Sequence, residues 1–281
     1  MTTSQIQSEP TQSFPRWLIL AIVVGALFVL AFYAVTDSNY LAHDHALEGA
    51  DWLGYAVCHR ITERSFTING HQLPLCARCT GMYLGTALTM LVLWLAGRAR
   101  FTALPPLPIL LTLLSFIAIM GADGLNSYSH FFPDSPHLYE PRNWLRLLTG
   151  MGTGLALGAV ILPTLSQTLW VQQEFRPSVS TFRELGGLVL VGSTAVLLIL
   201  SNQPIVLYVL AIISTAGLLT VVTALNTVMV LILSRRESLA ITWQQASLRL
   251  LIGMTLAFTE LSAISLLRFN LTGTMTGFPG L

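Results

Sequence analysis

The sequence predicts an all-α membrane protein, a polytopic transmembrane helical bundle of about seven spans with an ordered Cys/His-containing outer loop. Of its 281 residues, 53% are hydrophobic and only 10% are charged, and the mean hydropathy is +0.68. A soluble domain carries about a quarter charged residues. Uncharged runs recur along the chain, and about 20 apolar residues suffice to cross a bilayer core of roughly 30 Å. The composition therefore excludes an ordinary soluble domain.

The N-terminal part of the chain contains the first predicted span. Residues 1–16 are expected to form a disordered tail, and the segment 17–36 contains the uncharged run Trp17–Val35. A cleaved signal peptide is the alternative, because Arg16 precedes this run. The run is longer than a usual signal sequence, and the Ala-Phe-Tyr-Ala sequence near its end is a poor cleavage site. We therefore expect the run to be retained in the membrane.

The segment 80–267 is predicted to form a bundle of six further spans, followed by a C-terminal tail, residues 268–281. The uncharged stretch Leu185–Ser234 contains 50 residues. As one helix it would be about 75 Å long, more than twice the bilayer thickness. It must therefore turn back, and the Ser-Asn-Gln-Pro sequence at 201–204 is a turn signal. The other runs are Thr80–Gly97, Pro105–Ala122, Asn143–Leu165 and Leu248–Leu267.

All 14 basic residues are arginine, and their placement predicts the orientation. The absence of lysine from the sequence excludes Schiff-base chemistry, a P-loop lysine and a lysine general base. The formal net charge of +1 argues against nucleic acid as a partner. With the N-terminus inside the cell, eight arginines fall in cytoplasmic segments and six outside, as the positive-inside rule favours. We therefore expect a multi-pass cell-membrane protein with a cytoplasmic N-terminus and the lipid bilayer as its partner.

The longest predicted interhelical loop, residues 37–79, carries most of the chemistry. All three cysteines and all six histidines lie in this loop and in the third loop. These two loops share one side of the membrane, which is the extracytoplasmic side in the predicted orientation. Loops of this length are usually functional or disordered, and aromatic residues such as Trp52 and Tyr55 suit an ordered one. The Cys76-Ala-Arg-Cys79 motif directly precedes the second span, so both sulfurs are expected at the membrane surface.

Three interpretations of the cysteines remain open. In the first, Cys58, Cys76 and Cys79 hold a structural zinc ion, and His59 or His71 is the fourth ligand. A Cys₃His tetrahedron with one Cys-x-x-Cys arm is ordinary zinc chemistry. In the second, the Cys-x-x-Cys pair is a redox centre, because nearby arginines favour thiolate. In the third, two of the cysteines form a structural disulfide in an oxidising compartment and the other is inert.

The cysteine loop also carries a motif that is specific enough to indicate a family. The motif consists of Cys58-His59-Arg60, Arg64-Ser65-Phe66, Gly70, Leu73–Gly81 and Tyr83-Leu84-Gly85. It resembles the uncharacterised prokaryotic membrane-protein family called domain of unknown function 2085. The resemblance covers roughly Cys58–Gly158 and continues in Asp123-Gly124 and in the Asn-x-x-Arg-x-x-Thr-Gly sequence that starts at Asn143. It implies a multi-span membrane protein and supplies no established activity, so it does not choose among the three interpretations.

Polar residues near the cysteine side of the membrane form a second candidate site. An ionisable residue at membrane depth costs about 2.5–3.5 kcal/mol to insert, so each one needs a physical reason. Asp123 is expected near the outer end of the third span and Arg146 near the outer start of the fourth. They either pair with each other and fix the hairpin, or line a polar pocket beneath the loop. The candidate pocket residues are Arg60, Arg64, Arg78, Asp123, Asn126, Asn143 and Arg146.

Two further features fall inside the predicted spans. Glu260 lies near the middle of the last span, which suggests either a proton or cation site or a hydrogen-bonded helix contact with Asn226 as a potential partner. Gly81-xxx-Gly85 and Gly150-xxx-Gly154-xxx-Gly158 are small-residue faces that permit close approach of two helices. We expect these faces to bring the second span, which follows the cysteines, against the fourth.

The leading expectation is an integral membrane protein with a structural zinc site in its outer Cys/His loop, next to a polar pocket. A membrane thiol-disulfide oxidoreductase or other membrane enzyme is one alternative, and a transporter of a small ion or solute is another. The sequence identifies no catalytic residue for either alternative.

Overall fold

A computed structural model describes residues 47–68, 70–130, 132 and 138–275, and this part of the chain is an all-helical bundle. Six of its helices are long and apolar enough to cross a membrane. The predicted fold class is therefore confirmed, whereas residues 1–36, with the first predicted span, lie outside the described residues. The helices are α1 (Glu48–Val57), α2 (Ala77–Leu95), α3 (Leu107–Ser129), α4 (Asn143–Leu169), α5 (Phe182–Leu200), α6 (Pro204–Leu233) and α7 (Trp243–Thr272).

Several helices extend beyond the uncharged runs that predict them. Helix α2 begins at Ala77, which places Cys79 in its first turn, and α3 continues seven residues past Ala122 to Ser129. Helix α7 ends at Thr272 rather than at Leu267, the end of the apolar run that predicts it. A charge marks the edge of the apolar run and not the end of the helix, because terminal charged side chains pair or reach toward water.

The end of the bundle at which α2 begins is called the cysteine end below. There, strands β1 (Thr67–Ile68) and β2 (His71–Gln72) form an antiparallel hairpin in the segment between α1 and α2. Gly70 has a φ of 84° in the connecting turn, a conformation that favours glycine. The described part of the predicted outer loop is therefore ordered by one helix and one small hairpin.

The opposite end is called the strand end. Strand β3 (Phe101–Ala103) pairs in parallel with β4 (Glu174–Pro177), so the segments that follow α2 and α4 are tied together. Arg98 forms a two-pronged ion pair with Glu184 at the start of α5, with nitrogen–oxygen distances of 2.8 and 2.7 Å. These contacts fix the spans at the end remote from the cysteines.

Helices α2 and α4 cross at the centre of the bundle through their glycine faces. A Cβ atom at Gly150 would overlap the carbonyl oxygen of Arg78, and one at Gly154 would overlap that of Met82. The Thr86 hydroxyl donates a 3.2 Å hydrogen bond to the carbonyl oxygen of Gly154 across the contact. Such close approach of two backbones requires small residues, and the predicted contact between these spans is confirmed.

Candidate functional site

The fold brings the three cysteines together from two places in the chain. Cys58 follows the last turn of α1, whereas Cys76 is the N-cap residue of α2. Gly54 lets α1 pack directly on the backbone of Pro74, where a Cβ would overlap the carbonyl oxygen. The backbone N–H of Cys76 then donates a 3.2 Å hydrogen bond to the Cys58 sulfur. All three Sγ atoms lie within 4.8 Å of one another, with Cys79 as the third member of the group.

The chemistry of this donor set fits a thiophilic metal. Zinc–thiolate bonds of about 2.3 Å in a tetrahedron require sulfur–sulfur distances of about 3.8 Å, which a cluster of this size reaches by small side-chain adjustments. Cys58 and Cys76 are buried and Cys79 is half-buried, and all three are free thiols. A backbone N–H bonded to a sulfur also favours the thiolate that a metal needs. The residues present therefore fit a three-thiolate metal site.

The thiols perturb one another's ionisation. Hydrogen bonds from the thiols of Cys76 and Cys79 lower the pKa of Cys58, whereas the hydrogen bond to Cys58 raises the pKa of Cys76. A thiolate at Cys58 would therefore be stabilised by hydrogen bonds from its two neighbours. Removing the remaining protons requires a compensating positive charge, which a bound cation supplies.

The two histidines predicted as fourth ligands make other contacts. The Nδ1 atom of His59 accepts a 3.2 Å hydrogen bond from the backbone N–H of Ile61, and burial lowers the pKa of His59. The Nε2 atom of His71 lies 2.8 Å from Asp51, which also accepts a 3.0 Å hydrogen bond from Arg60. In the described residues, the group of clustered ligand atoms contains the three cysteines and neither histidine. The histidines that lie outside the described residues are His43, His45 and His137.

Asp123 pairs with Arg78 and not with Arg146, so the structure does not show the direct Asp123–Arg146 pair that is one of the two alternatives for these residues. The Nε atom of Arg78 lies 3.1 Å from Oδ2 of Asp123, its Nη2 contacts the same oxygen, and the Tyr139 hydroxyl donates a 2.8 Å hydrogen bond to Oδ1. Arg146 instead donates a 2.8 Å hydrogen bond to the side-chain oxygen of Asn143. The reason is the early start of α2, which places Arg78 in a helical turn beside the end of α3.

Three arginine side chains converge on Ser127, a residue that the sequence analysis missed. Its hydroxyl oxygen accepts hydrogen bonds from Arg78 Nη2 at 3.3 Å and Arg146 Nε at 3.4 Å. Its carbonyl oxygen accepts one from Arg64 Nη2 at 3.3 Å. Ser127 stands four residues after Asp123, so both lie on one face of α3, and this spacing is the signal that sequence analysis had available.

The remaining candidate pocket residues hold the surrounding chain in place. Asn126 donates a 2.9 Å hydrogen bond to the carbonyl oxygen of Tyr139, and Asn143 donates one of 3.1 Å to that of Glu63. Arg60 lies in a separate buried group, where it pairs with Asp51. The structure therefore brings Arg64, Arg78 and Arg146 together at Ser127, with the two asparagines at the border of this group and Arg60 elsewhere.

Arg268 near the end of α7 braces the cysteine segment. Its Nη1 donates hydrogen bonds to the carbonyl oxygens of Tyr55 at 2.7 Å and Cys58 at 2.6 Å, and its guanidinium lies 4.1 Å from the centre of the Tyr55 ring. A cation is favourable at these carbonyls, because they end helix α1. In the sequence alone, Arg268 stands out only as one of the arginines that indicate the orientation.

Glu260 forms the predicted contact within the membrane-spanning region. The amide nitrogen of Asn226 on α6 donates a 3.0 Å hydrogen bond to a carboxyl oxygen of Glu260 on α7. This bond links two neighbouring spans, as the helix-contact interpretation predicts.

These features define the protein as a polytopic helical membrane protein with a cysteine cluster at one end of its bundle. The family described as "Predicted membrane protein (DUF2085)" matches residues 58–160, the segment from the first cysteine to the middle of α4. The chain is 34% identical over 104 residues to an uncharacterized protein of Methanothermobacter thermautotrophicus, and the match covers 83% of that relative and 37% of this chain. The chain belongs to this family, as its cysteine motif predicts.

A second relative extends the comparison. An uncharacterized protein of Methanocaldococcus jannaschii is 29% identical over 114 residues, which cover 67% of that relative and 41% of this chain. No solved structure matches the chain. The similarity to both relatives therefore concerns less than half of this chain.

Proposed function

We propose that this membrane protein holds a structural zinc ion in its Cys58/Cys76/Cys79 cluster, at an end of the bundle that faces away from the cytoplasm. The observation that carries the proposal is the clustering of three sulfur atoms within 4.8 Å of one another. Thiolates are the preferred ligands of structural zinc. The distribution of arginines between the loops supports the orientation.

A structural role follows from where the ligands lie. Cys58 is the C-cap residue of α1, Cys76 is the N-cap residue of α2, and Cys79 lies in the first turn of α2. One ion bound by all three would therefore link the two helices. The three thiolates would hold the ion, and zinc would supply the positive charge that keeps them all deprotonated. The fourth ligand would be His59, after rotation of its ring away from Ile61, or a solvent molecule.

The burial of Cys58 and Cys76, beside the half-buried Cys79, favours this function over a thiol oxidoreductase. A catalytic redox cysteine needs an accessible thiol with a lowered pKa. Cys76, the first cysteine of the Cys-x-x-Cys motif, is buried, and its pKa is raised by the hydrogen bond to Cys58. Cys58 ionises more easily and is buried as well.

The metal content of the purified protein tests the proposal. The full chain, purified in a mild detergent under reducing conditions, is expected to contain about one zinc per chain by elemental mass spectrometry, as structural sites do. Cys58→Ser is expected to lose most of it. His130→Gln is the control, because His130 is a half-buried histidine that contacts the carbonyl oxygen of Tyr139 and is outside the cluster.

Two results would contradict the proposal. The first is wild-type protein that contains no zinc and does not take it up after reduction. The second is unchanged zinc content in Cys58→Ser. Alkylation of the same samples with and without reductant, followed by mass spectrometry, would then show whether the cysteines form a disulfide.

A further inference from the structure

We infer that the Arg78/Arg146 pocket at Ser127 is a binding site for a phosphate group. This site goes beyond the proposed zinc centre, because it uses other residues and ligand chemistry of the opposite charge. The inference rests on one buried guanidinium that forms no ion pair within the described residues, on two N–H groups that make no hydrogen bond there, and on the depth at which these side chains lie.

Arg146 is the first observation. It is only 7% exposed, and its hydrogen bonds in the described residues go to two neutral groups, the side chains of Asn143 and Ser127. Arg60, Arg78 and Arg98 each form an ion pair with a carboxylate. In the same described part of the chain, no carboxylate lies within ion-pair distance of Arg146. A buried charge without a partner is costly, so an external anion would stabilise it.

The arrangement of the donors is the second observation. Arg78 and Arg146 are held by the same Ser127 hydroxyl through Nη2 and Nε, respectively. Within the described residues, Nη1 of Arg78 and Nη2 of Arg146 donate no hydrogen bond, and neither atom is sealed from solvent. Two guanidinium groups therefore offer N–H donors beside one anchoring residue. Guanidinium groups bind phosphate oxygens through such charge-assisted hydrogen bonds.

The position of the pocket is the third observation. Arg78 and Arg146 lie in the first turns of α2 and α4, and Ser127 lies in the last turn of α3. These turns end membrane-spanning helices, so the pocket lies at the depth of the lipid headgroups. The N-termini of α2 and α4 add partial positive charge on the same side. The phosphate can therefore belong to a phospholipid headgroup or to a soluble compound.

Thermal stability of the purified full chain, measured in a maltoside detergent that contains no phosphate, tests the inference. One arm adds inorganic phosphate, and the other adds phosphatidylglycerol in mixed micelles. Either ligand is expected to raise the melting temperature of the wild type in a saturable way. A saturable rise in melting temperature with the lipid alone assigns the site to a phospholipid headgroup. A saturable rise with both ligands assigns it to phosphate groups in general.

Three variants make the test specific. Arg146→Gln is expected to weaken binding about tenfold or more, because it removes a charge-assisted donor pair. Arg146→Lys keeps the positive charge, so its folding is not affected by a change of charge. It loses the planar guanidinium group and is therefore also expected to bind phosphate more weakly. Arg183→Gln is the control, because Arg183 is exposed at the strand end and loses the same charge. It is expected to bind as the wild type does.

The inference is overturned if neither ligand stabilises the wild type. It is also overturned if both Arg146 variants bind as tightly as the wild type, or if Arg183→Gln weakens binding as much as they do. The zinc content of the same preparations is measured in parallel. Loss of phosphate binding with normal zinc content, or the reverse, separates the failure of one proposal from that of the other.

Discussion

Replacement of Gly150 by alanine is expected to push α2 away from α4 and to disturb the cysteine cluster. The added Cβ would overlap the carbonyl oxygen of Arg78 and lie 3.0 Å from its carbonyl carbon and 3.2 Å from its Cα. These are backbone atoms in a helix, so no side chain can rotate to make room. Arg78 stands between Cys76 and Cys79 in the sequence, and a shift of its backbone therefore moves both sulfurs.

The structure gives the size of the effect. Overpacking costs about 1–3 kcal/mol, and a clash with backbone atoms places this one in the upper part, about 2–3 kcal/mol. The better helix propensity of alanine returns about 1 kcal/mol. A net loss of about 1–2 kcal/mol in a chain of this size lowers the melting temperature by about 2–8 °C. Displacing groups that support metal ligands typically weakens metal affinity by about tenfold or more, which is the loss expected here.

Two matched substitutions separate stability from metal binding. Gly154→Ala has a comparable clash with Met82, one turn further from the cysteines. It should lower the melting temperature as much while leaving metal affinity closer to that of the wild type. Gly121→Ala adds a Cβ that meets nothing within 4 Å, so it should raise the melting temperature slightly through the helix propensity of alanine and leave metal affinity unchanged. A Gly150→Ala protein that melts at the wild-type temperature would refute the packing argument. Equal metal loss in Gly150→Ala and Gly154→Ala would refute the proposed transmission through Arg78.

Three other contacts give separate predictions. The partly exposed Arg98–Glu184 pair should show a coupling energy of about 0.5–1 kcal/mol in a double-mutant cycle of glutamine substitutions, and additive effects would contradict it. Arg268→Gln should lower the free energy of unfolding by about 2–4 kcal/mol, because charge-assisted bonds to backbone carbonyls are lost. Faster amide hydrogen exchange between α1 and β1 should accompany that loss, and unchanged exchange would argue against the brace. Glu260→Gln keeps an acceptor for Asn226, so denaturation should show a change below about 0.6 kcal/mol; a larger loss would mean that the carboxylate charge itself matters.

The sequence predicts those features that depend on composition and local spacing. Apolar runs predict the spans because the bilayer fixes the length of helix that must be apolar. The spacing of Gly150 and Gly154 predicts the contact with α2, because residues four apart share a helix face. The Asn226–Glu260 bond was predictable because a polar group at membrane depth needs a partner from the few polar residues at that depth.

The sequence does not predict which polar groups meet at the cysteine end. Arg64, Arg78 and Arg146 are all expected at the depth of Asp123, and the choice among them depends on the rotation of each helix about its axis. Ser127 carries no charge, so it does not stand out in a sequence although it anchors two guanidinium groups. These details follow from packing between elements and not from spacing within one.

The bond between Arg268 and the carbonyl oxygen of Cys58 joins residues that are 210 positions apart. A membrane protein is made and inserted from its N-terminus, so the cysteines emerge well before the last helix has been synthesised. During that interval the carbonyl oxygens at the end of α1 lack the hydrogen bonds that the Arg268 guanidinium donates to them. A chain that stops before α7 therefore contains the whole family segment, residues 58–160, without the arginine that is hydrogen-bonded to the carbonyl oxygen of Cys58.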